Sequence, residues 1–224
     1  VGGFGYIISP GMPESVGELV LFTAFDGSNW TVKRGILDTV PRAWGAGQRI
    51  YFFGPSSEIA DETVRAAMEE VNFKSLMRTS QGTLDADSAP LRSYETTERP
   101  HLPNRPANVT IQGTAWDEVD AEGATEVTVA WANRNRLEED SQILAWDDPN
   151  VAPEIGQTTK ITIINRQTGS VENEITGLTG ESYAIPIASF GAASRATVRV
   201  TAERDGFESL TGYEQRVKIA GGYG

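Results

Sequence analysis

Between residues 108 and 219, apolar side chains recur at every second position in one short run after another, and no other feature of this chain constrains its fold as much. Val109 and Ile111, Val127, Val129 and Trp131, Ile161 and Ile163, Val198 and Val200, and Val217 and Ile219 mark five runs; 171–175 and 182–187 supply two more. A period of two sends successive side chains to opposite faces of a strand, so each run has one face to bury. Turn formers such as Gln167-Thr168-Gly169 and Arg204-Asp205-Gly206 separate the runs. Seven half-buried strands within about 100 residues predict a two-sheet sandwich. Trp131 reads as its central filler, a ring able to bury on the order of 200 Å².

The loop over 133–155 interrupts this regularity. It is long for a connection inside a compact sandwich and carries Trp146, so the expectation is a contact with another subunit, with Trp146 as its best anchor. Upstream, Pro90, Pro100, Pro103 and Pro106 fix their own φ and push each preceding residue toward extended geometry. The organisation expected is therefore an N-terminal β domain over 1–89, a proline-rich linker over 90–106 and the sandwich over 107–220. Within the first domain, 16–25 and 30–36 read as strands joined across Asp26-Gly27-Ser28-Asn29, and 48–53 as a third, enough for a small barrel-like unit. Residues 57–71 carry helical spacing at Ile59, Thr63, Ala67 and Val71, whereas Val71, Phe73, Ser75 and Met77 alternate. One or two helical turns followed by a strand is the expectation, then a surface loop over 79–89.

In Arg34-Gly35-Ile36-Leu37-Asp38-Thr39-Val40-Pro41, Gly35 can take φ > 0, Asp38 and Thr39 can bond nearby amides, and Pro41 stops the strand. That combination builds a corner; a second reading makes Arg34 and Asp38 a binding pair. Thirty-one acidic against nineteen basic residues leave a net charge of −12, and no basic cluster exceeds pairs such as Lys33-Arg34, which disfavours nucleic acid as a partner. Cysteine is absent, so disulfides, thiolate metal sites and thiol nucleophiles are absent with it. The single histidine, His101, sits among prolines, and no nucleophile elbow, phosphate loop or zinc-binding histidine pair occurs. The acidic run Asp117 to Glu122 lacks the spacing of a calcium loop. No catalytic residue, cofactor or metal is expected, and no apolar run is long enough to span a bilayer. A start at Val1, without an initiator Met or a charged signal region, reads as a piece of a longer chain.

Three stretches resemble a known family. Val32-Lys-Arg-Gly-Ile-Leu-Asp-Thr-Val-Pro, continuing through Gly47-Gln-Arg-Ile-Tyr-Phe-Phe53, is similar to a segment near the C-terminal end of long tail hub proteins of siphophages and gene transfer agents. Pro103-Asn-Arg-Pro106 ahead of Val109-Thr-Ile-Gln-Gly113 resembles the connector into their fibronectin-III-like module. Val129-Ala-Trp-Ala-Asn-Arg-Asn-Arg-Leu137, Thr176-Gly-Leu-Thr-Gly-Glu-Ser-Tyr183 and Arg204-Asp-Gly-Phe-Glu-Ser209 resemble the module itself, with Tyr183 on its strand E. The resemblance implies a mainly β fold: a small N-terminal β-barrel-like domain followed by a seven-stranded fibronectin-III-like sandwich. It also implies a non-enzymatic structural component of the virion at the tail tip or baseplate. Its partners would be other tail proteins, further copies in a homotrimer and a host surface receptor. The alternative is an accessory fibronectin-III spacer or binding region of a secreted carbohydrate-active bacterial protein.

Overall fold

The computed structural model describes residues 3–9, 17–54, 63, 65–138 and 142–220. The chain is mainly β; among the described residues the only helical elements are two short 3₁₀ turns, Arg99–His101 and Ile187–Phe190. None is long and apolar enough to cross a membrane. Contacts divide the chain into two compact units, one made of Val1–Glu58 with Leu102–Gly224 and the other of Ile59–His101.

The first unit begins with four antiparallel strands, β1 (Gly3–Ile8), β2 (Glu18–Phe25), β3 (Trp30–Lys33) and β4 (Arg49–Phe53), ordered β3-β2-β1-β4. The β2–β3 hairpin forms where the turn chemistry places it: Asp26 Oδ1 accepts the Ser28 and Asn29 amides at 2.8 and 2.7 Å. β1 is central in this sheet and hidden in the sequence, because its glycines read as turn formers. Gly5 is required there, since a Cβ would lie 2.7 Å from the Phe22 ring packed across it. The described strands make an open sheet with β3 and β4 at its edges, in place of the barrel-like unit expected. Closure would need β3 to pair with β4, and β3 ends at Lys33 where the chain enters a tight turn.

The second unit holds β5 (Glu70–Lys74), paired with β8 (Leu91–Glu95), and the small hairpin β6 (Arg78–Thr79) to β7 (Gly82–Thr83). The helical turns expected within 57–71 fall largely on residues outside those described. The stretch expected as a linker is divided between the units. Its first part is β8, whereas Pro103, Asn104, Arg105 and Pro106 are buried in the first unit. Prolines had argued against a strand, but 91–95 contains none and pairs freely.

From residue 107 the chain builds two facing sheets. β9 (Ala107–Ile111), β11 (Glu126–Ala132) and β14 (Ser182–Pro186) form the first in the order β14-β11-β9. β10 (Val119–Asp120), β12 (Thr158–Asn165), β13 (Val171–Leu178), β15 (Arg195–Arg204) and β17 (Tyr213–Lys218) form the second in the order β10-β17-β15-β12-β13, with β16 (Phe207–Glu208) hydrogen-bonded to β15. β10 lies parallel to β17 and the other pairs are antiparallel. The alternating residues close into one core: Val109 and Ile111 from β9, Val127 and Val129 from β11, Ile161 and Ile163 from β12, and Val198 and Val200 from β15 are fully buried. Trp131 lies in this core as the filler its place in the pattern implied. At roughly 1.5–3 kcal/mol per buried branched side chain, this layer supplies the main driving force for the first unit.

Ile161→Ala should therefore lower stability by about 2–5 kcal/mol, whereas Val171→Ala, on the exposed edge strand β13, should stay within about 0.5 kcal/mol. Urea denaturation of both variants tests the two-sheet assignment, which equal losses would contradict.

Candidate functional site

The corner at residues 34–44 is organised by a carboxylate placed where a hydrophobic residue would be expected. Glu18 shares the inward face of β2 with Val20 and Phe22 and is fully buried. Its Oε1 accepts from Arg34 Nε at 2.8 Å and the Gly35 amide at 3.1 Å. Its Oε2 accepts from Arg34 Nη2 at 2.6 Å, the Arg42 amide at 3.2 Å and Trp44 Nε1 at 2.6 Å. A two-point guanidinium pair with three further donors satisfies the buried charge and fixes the path of the corner.

Gly35 has φ +57, and a Cβ there would meet the Pro41 ring at 2.6 Å and Trp146 Cβ at 3.0 Å. Leu37 and Asp38 follow at φ +47 and +66, a left-handed pair that costs energy in non-glycine residues. The surroundings hold it in place. Asp38 Oδ1 accepts the Arg105 amide at 2.8 Å, and its carbonyl accepts Thr211 Oγ1 at 2.7 Å. Thr39 Oγ1 accepts the Leu19 amide at 3.0 Å and donates to the Ile36 carbonyl at 2.8 Å. Arg34 and Asp38 thus do not form the pair considered from the sequence: Arg34 closes on Glu18, and Asp38 reaches the chain entering β9.

Arg105 is the other half of the joint. Only 2% exposed, it donates through Nη2 to the carbonyls of Gly35, at 3.1 Å, and Thr39, and its guanidinium carbon lies 4.5 Å from the centre of the Trp146 ring. Trp146 is 6% exposed, and its amide bonds the Arg34 carbonyl at 2.8 Å. Its ring packs on Trp116 and Tyr213 with centroids 5.3 and 5.5 Å apart. Trp146 is therefore buried against its own chain rather than open as the subunit anchor expected of it. Arg134 ties the two described ends of the loop together: Nη1 donates to the carbonyls of Asn133 and Pro149, and Nη2 to those of Ala145, Trp146 and Asp148. Further along, buried Glu154 takes Arg136 at 2.7 Å together with Arg204.

Electrostatics follow the same geometry. Burial alone would raise the Asp148 carboxyl, but the Ala145 amide and Lys33 ammonium outweigh it and hold its pKa below the ordinary carboxylate value. Burial pushes the Tyr213 phenol above its ordinary value, against a partial offset from the Trp116 amide. In the acidic run, Asp120 and Glu122 bond Lys218 Nζ at 3.0 and 2.8 Å. The depression lined by Gly35, Asp38, Asn104, Arg105, Arg134 and Leu144 encloses essentially no room even for a water molecule, so it is no match for the roughly 300–1,000 Å³ of small-molecule sites. What these residues do chemically is hold backbone carbonyls and one carboxylate in fixed directions.

Glu18, Arg105 and Arg134 were not singled out from the sequence. Glu18 carried a usable signal, an acid in phase with Val20 and Phe22, whereas the arginines bond carbonyls that only the folded chain brings near. No protein-family model matches the chain, and no curated protein matches it either.

Two outcomes follow from this geometry. Glu18→Gln should cost on the order of 3 kcal/mol in thermal or urea denaturation, because Arg34 would keep a weaker, uncharged partner; a loss below about 0.5 kcal/mol would mean the corner does not depend on the charge. The folded pKa of Tyr213 lies above its unfolded value of about 10, so its contribution is complete below that pH and fades as pH climbs through the folded value. Stability measured from neutral to strongly alkaline pH should thus fall less steeply at the alkaline end in Tyr213→Phe than in the parent.

Proposed function

We propose that this chain is a non-enzymatic structural segment of a tail hub at the tip of a siphophage or gene-transfer-agent tail. It would act through contacts with other tail proteins and further copies of itself in a trimer. The observation that carries this reading is a coincidence of sequence and geometry. The stretch most similar to tail hub proteins, residues 32–53, is the stretch that wraps the Glu18 carboxylate and meets Arg105 ahead of the sandwich. A part whose work is to hold orientation needs such a joint and needs no reactive constellation. The strand orders β14-β11-β9 and β10-β17-β15-β12-β13 support the fibronectin-III-like assignment, because the first sheet and the β17-β15-β12-β13 part of the second match that module's three strands facing four, with the two-residue β10 and β16 as additions.

The alternative is an accessory fibronectin-III spacer or binding region of a secreted carbohydrate-active protein, and Trp146 offers such a role no open ring. That ring is packed between Arg105, Trp116 and Tyr213.

Antibody labelling of intact particles in the electron microscope should place this chain at the tail tip, with host adsorption lost when the antibody is bound. Labelling of the capsid, or none on purified particles, would overturn the proposal.

A further inference from the structure

We infer that the Asp205-Gly206 step, at the tip of the β15–β16 hairpin, is a site of spontaneous covalent modification, where aspartate isomerises to isoaspartate through a cyclic imide. Glycine, whose amide is the least hindered in the backbone, follows aspartate at two places, Asp26-Gly27 and Asp205-Gly206. In such a step the glycine nitrogen, after giving up its proton to solvent, attacks the Cγ of the preceding aspartate, held within reach by the chain itself. A C–N bond forms and the carboxyl hydroxyl leaves as water. Water then adds to one of the two imide carbonyls. Opening at Cγ restores aspartate, whereas opening at the main-chain carbon leaves the backbone running through Cγ, one methylene longer. Nothing is oxidised or reduced, and the water lost is regained. Because hydroxyl is the leaving group, the reactive carboxyl is one that can take up a proton and turn freely.

Both steps lie in hairpin turns, and their hydrogen bonds set them apart. Asp26 Oδ1 accepts the Ser28 and Asn29 amides at 2.8 and 2.7 Å, and Oδ2 accepts Asn29 Nδ2 at 3.4 Å. The Asn29 amide first, and the Ser28 amide after it, hold the Asp26 pKa below the ordinary carboxylate value, so its protonated form is scarce. Asp26 is thus pinned and kept ionised by its own turn. Asp205 is left open. Its side chain is 74% exposed and carries no hydrogen bond among the described residues; Arg204 Nε stands off at 3.6 Å, and Arg204 Nη1 is taken up by Glu154. Gly206 is exposed at φ +84, with nothing within 4 Å of where a Cβ would stand, and its amide donates to no backbone carbonyl among the described residues. The added methylene would fall between Arg204 and Phe207, which pair across the tip. It would loosen the segment that carries the Ser209 amide to the Ala202 carbonyl, at 2.8 Å, and Thr211 Oγ1 to the Asp38 carbonyl, at 2.7 Å.

The test uses the full chain, folded and held for weeks in mildly acidic buffer below its thermal transition. Labelling by an isoaspartate-specific methyltransferase, followed by peptide mapping in the mass spectrometer, reads each step separately. Isoaspartate should build up at residue 205 several times faster than at residue 26. In urea, where the Asp26 turn is lost, the two rates should approach each other. Asp205→Glu keeps the charge and the exposure but disfavours ring closure through its extra methylene, so it should remove the label from that peptide. No isoaspartate at residue 205, equal accumulation at both steps in the folded chain, or the same disparity in urea would each overturn the assignment.

Discussion

One buried carboxylate sets the geometry of the corner. Left unpaired, Glu18 would carry a desolvation cost of several kcal/mol, so the fold that contains it must deliver its donors. Arg34, Gly35, Arg42 and Trp44 do so only if the chain turns back after β3, and that turn carries Asp38 to Arg105 and brings the Arg34 carbonyl to Trp146. The first sheet and the sandwich consequently belong to one compact unit although more than forty residues of another unit separate them in sequence.

How much of this was written in the sequence depends on the range over which each signal acts. The sandwich strands were legible because alternation is local and strong: 126–132 is a strand over the span its pattern marks, and Trp131 is in the core. β1 was not, because the glycine that lets it lie under Phe22 is also the commonest mark of a turn. The corner's tight path could be inferred from Gly35, Asp38 and Pro41. Its partners could not, since Arg105 follows Asp38 by 67 residues and Trp146 by more than a hundred. Trp146 shows the limit most plainly. A tryptophan in a long irregular loop has the same local signature whether it faces another molecule or three aromatic and cationic neighbours of its own chain.

The two units stand on different energetic footing. The sandwich closes a continuous apolar core, whereas the described residues of 59–101 present hairpins with little buried surface. Units of such unequal packing open at different free energies, the less buried one first.

The bonds of Arg105 also have a mechanical meaning. Its amide is anchored by Asp38 and its guanidinium by two carbonyls of the same corner, while Trp146 stacks on its face. Tension arriving along the backbone just ahead of β9 would load these attachments together, as rivets in a plate share shear, instead of peeling them one at a time.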